Sequence, residues 1–284
     1  MKRTAVSILI VLCIALGVFL VYSLNISGQF SDAVHMGTPV SARYVSGAAV
    51  AADGMHSSEG IAEDPSIGVL ILPYDYSAPV PESEPVDNAY FDRCVFIGDS
   101  RMLGLVKYND IDPINYCSVG FSVASYDTAE FIRVGEETFN VRDALRENDD
   151  YDAVYISTGI NELGWSRGRF AEKYRDMIND IKSTAGERPI YIQLIMPVTN
   201  GFEASKIMNP YGLKNSDVSL FNETLVDIAQ ECGVYYFDCS ELFVLDDGSL
   251  DPKVSSDGAH LTLKAYGDQL EFYKTHVVNE EEYR

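Results

Sequence analysis

From residue 94 to residue 238, five short apolar runs alternate with longer stretches whose apolar residues recur at helical spacing. The runs are CVFIG (94–98), INYCSV (114–119), DAVYIST (152–158), PIYIQLIM (189–196) and VYYFD (234–238). A strand that is apolar throughout must be covered on both faces, and intervening amphipathic helices supply that cover. Phe170, Tyr174, Met177, Ile178 and Ile181 fall on one helical face, and Val218, Phe221, Leu225, Ile228 and Cys232 on another. Ser216 is placed to cap the second helix and Gly233 to end it, while Leu263, Tyr266, Leu270 and Tyr273 make a closing helix. The pattern predicts an α/β domain, a three-layer α/β/α sandwich around a five-stranded parallel sheet. In such sheets chemistry gathers beyond the carboxyl ends of the strands, so the turn after each strand is where to search.

The chain ahead of that pattern divides in two. Residues 5–22 are an uncharged run of 18 residues. As a helix this run would extend about 27 Å at roughly 1.5 Å per residue, close to the hydrocarbon thickness of a bilayer. Lys2 and Arg3 precede it, and the positive-inside rule then sends everything that follows to the outer face. Residues 1–24 are therefore expected to be a membrane anchor, with a cleavable signal sequence ending near Val21 and Ser23 as the competing reading. Residues 25–90 are rich in Ala, Ser, Gly and Pro and end in SAPVPESEPVDN, which predicts a mostly flexible extracytoplasmic stalk, with the short apolar piece IGVLILPY (67–74) as a candidate to dock on the domain. The folded domain is expected over residues 91–284.

Charge narrows the partners. The chain carries 43 Asp and Glu against 21 Lys and Arg, a formal charge of −22, and after position 90 the excess is still −16. Such a surface repels phosphate backbones, so nucleic acid is not an expected partner, and a lysophospholipid at an anionic membrane is disfavoured. The 5 cysteines include no C-x-x-C pair, so no structural metal is indicated. Cys94 and Cys117 lie on strands expected to be neighbours, and Cys232 and Cys239 flank the last strand. Buried thiols are the default there, and a disulfide is the alternative outside the cytosol.

Four turns carry the chemistry. Strand CVFIG runs into Gly98-Asp99-Ser100 and then a helical stretch, which puts Ser100 where a nucleophile and a backbone oxyanion donor coincide. By itself the turn is more often an ordinary serine helix cap. Of four histidines, His35 and His56 lie in the stalk and His276 near the polar tail, so His260 in Asp257-Gly258-Ala259-His260 is the candidate base, with Asp257 to orient it. The third strand ends in Thr158-Gly159-Ile160-Asn161 and the second in Val119-Gly120. An amide side chain and a backbone N–H are thereby expected at the same edge as the serine.

GDS, the VGF glycine, GIN and DGAH stand in the order found in the SGNH, or GDSL-type, hydrolases, and the stretch from about residue 90 to residue 276 resembles that family. The resemblance implies a flavodoxin-like sandwich, Ser100 as nucleophile, His260 as base and Asp257 as its orienting acid. Ser100, Gly120 and Asn161 would be oxyanion donors, with no metal or organic cofactor. Arg101 and Glu162 stand where Leu and Asp are usual. They are expected to pair beside the site or to bind substrate, Arg101 through an acidic group. Trp165 and Tyr126 are candidates for a sugar-binding lip. The expected activity is a membrane-anchored extracytoplasmic serine esterase that removes acyl groups, above all acetyl, from a carbohydrate or cell-envelope polymer. An O-acyltransferase with the same triad and a non-catalytic polymer-binding module are the alternatives.

Overall fold

Each of the five apolar runs forms a strand in a computed structural model of the chain, which describes residues 74–279. The strands in chain order are β1 (Cys94–Gly98), β2 (Ile114–Cys117), β3 (Ile132–Val134), β4 (Glu137–Phe139), β5 (Ala153–Ser157), β6 (Ile190–Gln193) and β7 (Tyr235–Phe237). Five of them make one parallel sheet in the order β2-β1-β5-β6-β7. This is the flavodoxin-like order, which reverses direction at β1, so the end of β1 opens on the crevice where doubly wound sheets place their ligands. The small antiparallel hairpin β3–β4 was not foreseen, because its strands are three residues long and mix Arg133, Glu137 and Thr138 with apolar neighbours.

The helices are α1 (Ser100–Tyr108), α2 (Val141–Glu147), α3 (Arg167–Ala185), α4 (Asn200–Ala204), α5 (Asn215–Cys232) and α6 (Leu263–Lys274). Alternate strand residues feed two separate cores. Val95, Ile97, Val154 and Ile156 pack with Phe170, Tyr174 and Ile178 of α3 and Phe221, Leu225 and Ile228 of α5. Phe96, Tyr155, Tyr191 and Phe237 pack with Met102 and Leu105 of α1 and Tyr266, Leu270 and Tyr273 of α6. The three-layer sandwich follows from this alternation, since successive side chains of a strand leave opposite faces of the sheet. Tyr155 stacks on Tyr191 at 4.6 Å between ring centroids, so the second core is unusually aromatic.

Two helix details differ from expectation. Ser216 is not a cap: α5 starts one residue earlier, and Asn215 instead bonds Val198 with both its oxygen (2.8 Å) and its nitrogen (2.9 Å), which pins the helix start to the loop after β6. Leu263 opens α6 but stays largely exposed, while Gly233 ends α5 in the left-handed region as predicted.

The domain also begins earlier than residue 91. Val80 donates to the Tyr236 carbonyl at 2.8 Å, the Tyr236 hydroxyl donates to Ser77 O at 2.8 Å, and Ser83 and Val86 donate to the carbonyls of Thr275 and Lys274. Tyr74 packs edge-on against Tyr235. Residues 74–90 thus form a strap along β7, an edge strand whose backbone would otherwise be open to pairing. The stretch expected to be flexible is packed here, because a few anchors suffice to dock a segment whose average composition is polar.

Among the described residues no helix is long and apolar enough to cross a membrane, and the apolar run 5–22 lies outside them, as does most of the expected stalk. Cys94, Cys117, Cys232 and Cys239 are all buried free thiols.

Candidate active site

Asp99 caps α1: its carboxylate accepts the Arg101 N–H at 2.8 Å. The ordinary capping role is therefore filled by the residue before Ser100, and the serine hydroxyl is not used for it. That hydroxyl lies 2.8 Å from His260 Nε2, and His260 Nδ1 lies 2.7 Å from Asp257 Oδ2. A carboxylate only accepts, so Asp257 selects the tautomer with hydrogen on Nδ1 and leaves Nε2 free to take the serine proton.

The turn that presents His260 is tightly specified. Asp257 Oδ1 accepts the N–H groups of Ala259 (2.9 Å) and His260 (2.8 Å), and Gly258 donates to Ser255 Oγ at 2.8 Å. Gly258 has φ of 93°, and a Cβ there would come within 2.7 Å of Phe202 and 2.8 Å of the Thr199 hydroxyl. Only glycine fits. Thr199 itself donates its N–H to Gly258 O at 2.9 Å, joining the loop after β6 to the acid–base turn. Burial raises the Asp257 pKa, but the hydrogen bonds from the His260 ring and from the His260 and Ala259 backbone outweigh it and hold the carboxyl well below the usual carboxylate range.

Gly120 and Asn161 come together through the loop between them. Asn161, in the 3₁₀ turn Ile160–Glu162, donates from Nδ2 to Phe121 O at 2.8 Å, which leaves its second amide hydrogen for another acceptor. Gly120 adopts φ of 75°, and a Cβ there would meet nothing within 4 Å, so its glycine answers a backbone requirement on a side open to an incoming molecule. The two turns are tied to the serine turn by Ser118 N–H to Gly98 O (3.0 Å) and by Asp99 N–H to Ser157 O (3.1 Å). All the predicted site turns therefore stand at one sheet edge.

Arg101 and Glu162 correct the expectation. They do not pair, and neither is placed to touch a substrate, because both are buried, Arg101 to 5% exposure and Glu162 to 0%. The Arg101 guanidinium donates to the carbonyls of Met196 and Pro197 beyond β6, tying the nucleophile turn to the loop that carries Thr199. Glu162 accepts the Val123 N–H at 2.6 Å. Tyr126 is buried with its hydroxyl on Asp180 and forms no open lip, while Trp165 is half-buried under the Arg169 guanidinium. Thr199 was missed, although a threonine before Asn200 is an ordinary signal for the start of a short helix, which it caps. Among the described residues no group of three or more His, Cys, Asp or Glu side chains is arranged to hold a metal.

A family model for the GDSL-like Lipase/Acylhydrolase family matches residues 102–267, more than half of the chain. The chain belongs to that family. It is thereby an ester-hydrolysing serine hydrolase, and the match spans Gly120, Asn161, Asp257 and His260 while starting two residues beyond Ser100. Solved structures similar to this GDSL-like chain include a GDSL-like lipase from Bacteroides thetaiotaomicron, at 14% identity over 66% of this chain and 92% of that one with a TM-score of 0.46. A carbohydrate acetylesterase from Sinorhizobium meliloti shares 14% identity over 63% of this chain and 96% of its own, with a TM-score of 0.44. No curated protein matches the chain significantly.

Proposed function

We propose that this GDSL-like hydrolase removes acyl groups, above all acetyl, from a carbohydrate or cell-envelope polymer on the outer face of a membrane to which residues 1–24 tether it. The observation that carries the chemistry is the chain of hydrogen bonds Ser100–His260–Asp257. Ser100 Oγ attacks the ester carbonyl as its proton passes to His260 Nε2. The oxyanion accepts hydrogen bonds from the Ser100 and Gly120 N–H groups and from Asn161 Nδ2. His260 then returns the proton to the departing sugar hydroxyl, leaving Ser100 acylated, and water deprotonated by the same imidazole releases the acid.

The polymer reading is supported by exposure. The His260 and Asp257 side chains are 37% and 49% exposed, so the triad lies at an open surface that an ester on a long chain reaches without entering a closed cavity. The apolar run 5–22 after Lys2 and Arg3 supports the location.

The test is acetate release from O-acetylated polysaccharides by the full chain, compared with release of long acyl chains from lipid esters. The reading expects acetate release from the polysaccharide at the higher rate. Preference for the long-chain ester would reject the substrate class, and transfer of acetyl to an added oligosaccharide, seen by mass spectrometry, would identify an acyltransferase.

A further inference from the structure

Two consecutive residues of one turn grip alternate residues of the loop after β2. Asn161 holds the Phe121 carbonyl at 2.8 Å, and Glu162 holds the Val123 N–H at 2.6 Å. Upstream the same loop is fixed at Ser118, which donates to Gly98 O and accepts from Phe121 N–H at 3.2 Å. Between these supports lie Val119, which is mostly exposed, and Gly120, whose left-handed backbone sets the direction of its N–H.

We propose that Glu162 is a positioning residue for the reaction set out above: its carboxyl, by holding Val123, keeps the Gly120 N–H directed at the oxyanion. The inference rests on that reaction. It gives a physical role to a carboxyl that is fully buried and therefore has no route to a substrate. Asn161 donates one amide hydrogen to Phe121 and keeps the other for the oxyanion, so it fixes the loop at a single point, and Glu162 adds a second grip two residues further on.

The charge state fits the role. Three groups face the Glu162 carboxyl: Asp99 from the nucleophile turn, the Tyr174 hydroxyl from α3 and the Thr158 hydroxyl from its own strand end. Burial, joined by the repulsion of Asp99, pushes the Glu162 pKa up to about 8, against the pull of the Val123 N–H. At neutral pH the Glu162 carboxyl is mostly protonated, so the clamp adds no second carboxylate charge to that of Asp99 behind the atoms where the oxyanion forms. Ionisation in the alkaline range adds that charge and opposes the transition state.

Two variants of the full chain decide the matter. Glu162→Gln keeps an acceptor for Val123 and cannot ionise, whereas Glu162→Leu keeps the bulk and removes the acceptor. The Gln variant is expected to hydrolyse a small ester at the wild-type rate at pH 7 and to lack the fall in kcat expected of the wild type above about pH 8. The Leu variant is expected to lose about 10- to 100-fold in kcat with KM unchanged, the scale of a small misplacement of catalytic groups. Hydrogen exchange at residues 119–123 reads the clamp without any substrate, and protection should be kept in Gln and lost in Leu. Equal protection in wild type and Leu, or an alkaline fall retained in Gln, would overturn the inference. If Leu does not fold, the Gln profile and its exchange decide. Absence of ester hydrolysis in wild type would instead refute the functional reading, leaving the exchange result to judge the clamp.

Discussion

Asp99 accepts the Arg101 N–H at 2.8 Å, and by capping α1 it leaves the neighbouring Ser100 hydroxyl to His260. Asp99→Ala should cost about 0.5–2 kcal/mol of stability, the usual range for a lost cap. It should also lower kcat as the first turn loosens around the nucleophile. Asp99→Asn, which keeps the accepting oxygen, should recover most of the stability. Urea denaturation and ester hydrolysis on the same samples check both, and an unchanged midpoint in Asp99→Ala would deny Asp99 its structural task.

Asp257→Asn should be severe for a reason particular to this turn. The two backbone N–H groups of Ala259 and His260 hold one carboxyl oxygen, so an asparagine keeps its oxygen there and turns its NH₂ toward His260 Nδ1. That selects the wrong tautomer, and kcat should fall on the order of 10⁴-fold at neutral pH. A loss below tenfold would mean that Asp257 does not set the imidazole. The depressed Asp257 pKa also means that its contribution to stability is present above the unfolded carboxyl value and is lost as pH falls through the folded one, so the variant should show a weaker acid transition than wild type.

Asn161→Ala removes a donor to charge that exists only in the tetrahedral intermediate and its flanking transition states. kcat should fall about 10²- to 10³-fold, roughly 2.7–4 kcal/mol, with KM little changed. A raised KM with kcat intact would make Asn161 a substrate-binding residue.

The strap predicts where the domain can be cut. A fragment beginning at residue 72 should be more stable than one beginning at residue 91, which loses the backbone bonds of Val80, Ser83 and Val86 and the packing of Val80 and Tyr74. The difference should be roughly 2–5 kcal/mol from those hydrogen bonds and buried apolar groups. Thermal melts of the two fragments measure it, and equal melting temperatures would show the strap to be an incidental contact.

How much of this was legible follows from the range of each interaction. The five strands and the faces of α3 and α5 were readable because burial repeats at a fixed local period, and β1, β2, β5, β6 and β7 fall within the five runs, β1 over its whole run and the other four trimmed at their ends. Ser100, His260 and Asp257 were readable because each sits in a distinctive turn. Arg101 was misread since its partners are backbone carbonyls 95 and 96 residues away, and a carbonyl has no signature in a sequence. Glu162 was misread for the same reason, its partner being the Val123 N–H 39 residues earlier. Of the strap, Tyr74 was legible as the end of an apolar piece, while Tyr76 and Val80 were hidden by averaging, being few among many small and polar residues. Hairpin β3–β4 has too few residues to show a period.

The central claim is that Ser100 is a nucleophile activated by His260, and covalent labelling tests it without knowledge of the natural ester. The full chain should be treated with a small fluorophosphonate and mapped by mass spectrometry. The account predicts a single adduct on Ser100, absent in Ser100→Ala and formed far more slowly in a folded His260→Ala variant. An adduct on another residue, or labelling of Ser100 at an undiminished rate without His260, would contradict it.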